Sequence, residues 1–369
     1  MKIGILTYQR AENYGALLQA FASLTYLKRL GYDVELIDYW PEYHERNYKL
    51  FFTNYFRSLS FGRKMAYLIV TILSLPWILK RKKNFKKFMY ERLNLPSRVT
   101  YRKNDCCDKY DIVLYGSDQI WRKQKVVSRT FYDEWYFGSN NIIAKKKIAM
   151  AASAGALNIT GEDQLFFQNH MGNFSSVLVR EKDLHEFLSS INITSQIVAD
   201  PVFLINSKEW ETLARKNTEC KEQKYILFYN LLRNNESVEF VEKLQKHYGY
   251  KIKEINKGRG FRHQGNRYVK SASVEDFLSL IRDAELVVSN SFHGVAFSII
   301  FEKQFYAIGM RNKSERVKTL LGALDIKDRY INENVNINLD SKIDFRFVNE
   351  KLTKLRNKFQ ELLNFSIEK

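Results

Sequence analysis

Residues 286–301, LVVSNSFHGVAFSIIF, leave few ways to fold. Leu286, Val287 and Val288 make an apolar run of the length of a short buried strand, and Ser289, Asn290 and Ser291 make a polar turn. After Phe292, His293 and Gly294, the run Val295 to Phe301 reads as a helix too apolar to lie in water. A strand, a turn and a buried helix place the turn at the carboxyl edge of a sheet, where open α/β folds bind ligands. Unpaired backbone N–H groups and the helix dipole favour an anion there. His293 stands in this turn, so an imidazole and an anion pocket would share one site. A histidine near a helix start also commonly serves as a cap or as a satisfied core residue, and these residues alone leave both readings open.

The same rhythm recurs along the chain. Ile3 to Leu6 is an unalternating apolar run, as in a buried parallel strand, and a loop then leads through Asn13, Tyr14 and Gly15 into a helix that stops at Leu30-Gly31. Gly15 and the amides after it could cradle phosphate, or Gly15 could simply permit a tight turn; the spacing of a dinucleotide fingerprint is absent. Asp111 to Tyr115 is a further strand, followed by Gly116, Ser117, Asp118 and Gln119, whose hydroxyl, carboxylate and amide suit sugar hydroxyls or could cap a helix. The strand Lys147–Ala152 exits through the small residues Ser153, Ala154 and Gly155, as where a ligand nears the backbone. Ser176 to Val179 delivers Arg180 to that same edge, where its planar fork would clamp a carboxylate or phosphate, or else pair with Glu181 or Asp183.

A second series runs from Tyr225 through the 286–301 unit to Ile308, with the crossing between the two near residues 197–201. Two doubly wound, Rossmann-like α/β domains facing a cleft follow from this alternation: 1–195, interrupted by a helical, basic insertion at about 45–100, and 196–340. An amphipathic tail, 341–369, is expected to return to the first domain.

The run SNSFHG, together with GSDQIW at 116–121, NYGALLQAF at 13–21 and VREK at 179–182, resembles the polysaccharide pyruvyltransferase family, in the same order and over Lys2 to Gly309. The resemblance implies a glycosyltransferase-B-like fold. It also implies transfer of the enolpyruvyl carbons of phosphoenolpyruvate to a sugar hydroxyl pair, forming a ketal in surface polysaccharide and releasing phosphate. No cofactor or metal is expected; phosphoenolpyruvate is a co-substrate, and the acceptor is expected to be a lipid-linked oligosaccharide. By similarity His293 is the proton donor and Arg180 the anion clamp; the strand-end turns add Asn13, Tyr14, Gly15, Ser117, Asp118, Gln119, Ser153, Asn290, Ser291 and Gly294 as candidate substrate-lining residues. A helix start disfavours imidazolium, whereas a multiply charged donor favours it, so the proton is expected on His293 mainly in the donor complex. Part of the family carries an arginine two residues before the histidine, where this chain has Ser291; Arg311, Arg316 or a residue of the basic loop 257–268, which includes His263, could take its place. A nucleotide-sugar glycosyltransferase and a non-catalytic, membrane-associated glycan-binding protein are the competing readings.

Charge and composition bear on partners. The net charge of +18 would draw nucleic acid, an anionic membrane surface or an acidic substrate, and nucleic acid is not expected because no zinc-finger spacing or RNA-binding signature occurs. Met65 to Leu79 is strongly apolar but short for a bilayer span and interrupted by Pro76, and a basic run, Lys80 to Lys87, follows it. Residues 65–88 therefore read either as an anionic membrane contact or as a buried helix followed by a solvated one. Three cysteines, Cys106 and Cys107 being adjacent, offer neither a disulfide framework nor metal spacing, which fits a reducing compartment. Residues 2–7 read as a strand rather than as a signal-peptide core, so the expected location is cytoplasmic, and peripheral on the inner face of the membrane under the membrane-contact reading of residues 65–88.

Overall fold

The computed structural model describes residues 1–102, 108–126, 129–215, 223–232, 234–255, 265–309, 314–331 and 338–369. Two six-stranded, wholly parallel sheets carry the architecture. The first holds β1 (Lys2–Leu6), β2 (Asp33–Leu36) and β3 (Lys109–Tyr115); after a hairpin of β4 (Gln124–Val126) and β5 (Arg129–Phe131) come β6 (Ile143–Ala152), β7 (Ser176–Val179) and β8 (Gln196–Ile197). The second holds β9 (Tyr225–Tyr229), β10 (Lys251–Ile255), β11 (Tyr268–Val269), β12 (Leu286–Ser289), β13 (Gln304–Ile308) and β14 (Tyr330–Ile331).

Strand order in the first sheet is β2-β1-β3-β6-β7-β8, and in the second β11-β10-β9-β12-β13-β14. Each chain path therefore moves outward, returns, and continues on the other side of its first strand. The reversal lies between β1 and β3 in one sheet and between β9 and β12 in the other, which are the two places where open α/β sheets bind ligands. Two doubly wound domains are thus present, in the arrangement expected of a glycosyltransferase-B-like enzyme.

Apolar side chains join these domains. Tyr14, in the first turn of the helix Tyr14–Arg29, stacks on Phe277 of the second domain with centroids 4.5 Å apart and donates its hydroxyl proton to the Ala272 carbonyl at 3.0 Å. One continuous core cluster includes Ile3 and Leu17 of the first domain, Phe277 and Phe297 of the second, and Leu363 of the last helix. The first domain extends past the expected boundary at residue 195, because β8 is the edge strand of its sheet and the turn Pro201–Phe203 follows it. That last helix, Phe345–Glu368, packs back on this domain, with Ser366 Oγ 2.8 Å from Ser176 Oγ and Arg356 Nε donating to the Phe203 carbonyl at 2.7 Å.

The insertion departs from expectation at Pro76. A single helix, Phe61–Glu91, runs through the proline without a break. The ring removes only the bond that the Ile72 carbonyl would accept, and that turn is solvent-facing, so water can serve the carbonyl instead. The second departure is at His293: the helix begins one residue before it, at Phe292, because Ser291 already has the extended backbone of a cap.

Candidate functional site

Strand ends from both domains converge on one buried carboxylate, Asp200. It follows β8, and its Oδ1 accepts from the Val202 amide at 3.0 Å, which fixes the side chain. Its Oδ2 accepts from Arg180 Nη1 and lies 3.6 Å from His293 Nε2, an ion-pair distance longer than a hydrogen bond. Burial alone would raise the Asp200 carboxyl, yet the Arg180 guanidinium and the neighbouring imidazole outweigh it and hold the group down at about 2. Arg180 and His293 therefore meet through a shared counter-ion that sequence reasoning treated only as part of a domain crossing.

Arg180 is oriented by more than Asp200. Its Nη1 also donates to Ser117 Oγ at 2.8 Å, and its guanidinium carbon lies 4.9 Å from the centre of the Phe292 ring. Neither Nε nor Nη2, both buried, has a hydrogen-bond partner among the described residues. The hydrogen-bonded carboxylate of Arg180 is thus Asp200, not Glu181 or Asp183 as the local spacing allowed.

Glu181 belongs to a second set. Its Oε1 accepts from Ser153 Oγ and lies 3.8 Å from Arg316 Nε, which comes from the first turn of the helix Glu315–Ala323 in the second domain. Arg316 sits over the same Phe292 ring at 5.7 Å, so two guanidiniums share one aromatic ring. Burial, only partly offset by the two arginines, raises the Glu181 carboxyl above its ordinary range. Burial and the Arg180 charge lower Arg316. Two guanidiniums and the His293 imidazole thus gather around two carboxylates, and Arg180 keeps two unpartnered donors among them, which is a setting for an anion.

His293 is itself buried, 7% exposed, and its Nε2 has no hydrogen-bond partner among the described residues. Its other nitrogen faces Gly15: a Cβ built on that glycine would stand 1.9 Å from Nδ1. Glycine at 15 is therefore required for the two helix starts to approach each other, a close contact between domains that is additional to any turn requirement. Gly116 has a similar constraint, with φ of 153° and a Met150 carbonyl 1.9 Å from where its Cβ would be. That close approach packs the Ser117 loop onto β6.

The remaining expected site residues divide. Ser117, Ser153 and Arg316 join the cluster directly. Asp118 has a left-handed backbone, φ 73°, and its Oδ1 accepts from the Gln119 amide at 2.8 Å; the Gln119 side chain lies against Gly155. Asn13 caps its helix by accepting from the Gly15 amide at 3.0 Å. Tyr14, Asn290 and Gly294 are buried and each makes a structural contact. Tyr14 is in the domain seam. Asn290 accepts from the Leu231 amide at 2.7 Å and donates to the Leu232 carbonyl at 3.1 Å. Gly294 makes room for Ser289 Oγ, 2.3 Å from its notional Cβ. The Ser291 amide donates to the same Ser289 oxygen at 3.0 Å. Arg311 and residues 257–264 of the basic loop, including His263, lie outside the described residues.

Asp200, Glu181 and Phe292 were missed as site members. For Asp200 the available signal was a carboxylate just after an apolar strand end, the pattern that singled out Arg180. Among the described residues no group of three His, Cys, Asp or Glu side chains is placed to hold a metal ion.

The family model described as polysaccharide pyruvyl transferase matches residues 13–312. No curated protein matches the sequence. Among solved structures, UDP-GlcNAc 2-epimerase from Neisseria meningitidis bound to UDP-GlcNAc is similar at 10% identity, covering 99% of this chain and 94% of that one with a TM-score of 0.42. The E. coli heptosyltransferase with ADP is similar at 12% identity, covering 96% and 100%, with a TM-score of 0.40.

Proposed function

The chain belongs to the polysaccharide pyruvyl transferase family, a family of transferases, and from that premise we propose that it converts phosphoenolpyruvate and a sugar hydroxyl pair into a pyruvate ketal and inorganic phosphate. The observation that carries the reading is Arg180: its unpartnered, buried Nε and Nη2 stand beside a second guanidinium and an imidazole. The donor has a carboxylate and a phosphate to be held, and a methylene carbon to be protonated.

In the proposed reaction Arg180 and Arg316 hold the two anionic groups, and His293 gives its proton to the methylene carbon, making the methyl group. One sugar oxygen adds at C2 and loses its proton, restoring that of the imidazole. The C2–O bond to phosphate breaks as the second sugar oxygen adds, and phosphate leaves with the second hydroxyl proton. Asp200 remains ionised, orienting Arg180 and stabilising imidazolium from 3.6 Å. The acceptor is proposed to be lipid-linked, with the protein working peripherally at the cytoplasmic membrane surface.

Phosphate release from phosphoenolpyruvate in the presence of galactoside and lipid-linked acceptors tests the proposal. Release that depends on an acceptor with a free hydroxyl pair, with the acceptor gaining the mass of a carboxyethylidene group, is the expected result. Absence of release with every such acceptor would overturn it.

A further inference from the structure

The helix Phe61–Glu91 presents the wrong face to water. Large apolar side chains face solvent along one stripe at helical spacing: Phe61 (81% exposed), Met65, Ile69, then Ile72 (62%) beside Leu73, and, past exposed Pro76, Leu79. The inward side of the same stretch buries Ile78 together with Thr71 and Ser74, whose hydroxyls have no partner among the described residues. A soluble surface helix is sided the other way. Along its carboxyl-terminal part the outward stripe changes to Lys80, Lys83, Lys86 and Lys87.

The cations of this helix are sorted as well. Arg81 and Lys82 point inward to the Glu12 carboxylate, Arg81 at 3.7 Å. Outward-facing Lys80, Lys83 and Lys86 form no ion pair among the described residues. We infer that this stripe is a docking surface for a bilayer containing anionic lipid, its apolar half entering the headgroup boundary and its lysines meeting lipid phosphates. A second copy of the chain is a poorer occupant, because two such stripes paired about a twofold axis would add like charges to a molecule already at +18.

The helix lies on the membrane instead of crossing it. By length and composition alone the helix could be a span. Yet the uncharged run from Met65 to Leu79 extends only ~22 Å as helix, against a hydrocarbon core of ~30 Å. Its far end is fastened to the protein: Phe85 and Phe88 are buried, and Asn84 Nδ2 donates to the Ser271 carbonyl at 2.8 Å. Glu12, which anchors Arg81 and Lys82, immediately precedes Asn13, the cap of the helix whose Gly15 meets His293. The docking surface is therefore tied directly to the site's edge, as suits a lipid-linked acceptor. Only that purpose rests on the transferase reading; the docking does not.

Flotation of the full chain with phosphatidylcholine vesicles, with and without phosphatidylglycerol, tests the inference. Wild type should float with the anionic vesicles. The pair Ile69→Asp and Ile72→Asp should leave it in the dense fraction with its melting midpoint unchanged, since both side chains are exposed. Changing Lys80, Lys83 and Lys86 to Gln should weaken partitioning about fivefold per lysine and remove the preference for anionic lipid. Wild type that stays in the dense fraction, or an aspartate pair that floats equally, would overturn the inference. So would an oligomer that the aspartate pair disperses without any vesicle binding. Phosphate release measured on a soluble acceptor with the same proteins separates failure of docking from failure of the chemistry.

Discussion

Gly15 and His293 come from opposite domains, and the space between them is the most stringent constraint at single residues. Gly15→Ala puts a methyl group within 1.9 Å of Nδ1, so either the imidazole or a helix start must shift. Transfer should fall by about 100-fold, the usual cost of an ångström of misplacement, while donor affinity held by the arginines changes little. Steady-state kcat and KM for phosphoenolpyruvate would check this; an unaltered kcat would contradict it. Asp200 makes a pH-dependent prediction. Its carboxyl is lowered in the folded state, so its contribution is present above the unfolded range near 4 and is lost as pH falls towards about 2. The stability gap between wild type and Asp200→Asn should narrow by about 1 kcal/mol from pH 5 to pH 3. Denaturant titrations at both values measure it, and a constant gap would show that Asp200 is not coupled as described. These residues were unequally legible in the sequence. Arg180, His293 and Ser117 stand directly after apolar strands, where periodicity alone puts them at the carboxyl edge. Asp200 and Glu181 matter because of what lies opposite them in space, which spacing along a chain does not encode.

Among the elements, the long helix Phe61–Glu91 shows most clearly what local sequence conceals. The apolar run and the basic run were visible, but Pro76 suggested an interruption where the structure keeps one helix. Which side faces the protein depends on partners elsewhere: Phe85 packs against Tyr14 and Phe88 against Phe21. Two variants separate the anchored end from the free stripe. Phe88→Ala should cost about 3–5 kcal/mol, because a fully buried ring is removed. Ile72→Ser should change stability by less than about 0.5 kcal/mol in solution, because that side chain already faces water. Urea midpoints compare them, and equal losses would mean that the outward stripe is buried after all. Most strands were easier to read, since parallel strands buried on both faces are continuous apolar runs. The β4–β5 hairpin was missed because Gln124–Val126 and Arg129–Phe131 are neither apolar nor long.

For the whole molecule, two doubly wound sheets are brought together with their ligand-binding edges facing, and four contacts cross between them at the site. His293 meets Asp200 and Gly15, Phe292 lies under Arg180, and Arg316 approaches Glu181. Strand–helix alternation made the two domains legible. The seam through Tyr14 and Phe277 was not, because an aromatic residue in a helix start gives no hint of a partner in another domain. This arrangement makes donor binding a property of both domains. Arg316→Lys keeps the charge but loses the planar fork, so KM for phosphoenolpyruvate should rise roughly tenfold with a smaller effect on kcat. Equal loss in both parameters would place Arg316 in the chemical step. The most direct test of the central claim is a paired measurement on His293→Gln, namely phosphoenolpyruvate affinity by calorimetry and acceptor-dependent phosphate release by the same protein. Affinity should stay within about threefold of wild type, with release slowed by at least 100-fold as for a lost general acid. Release at the wild-type rate would contradict it.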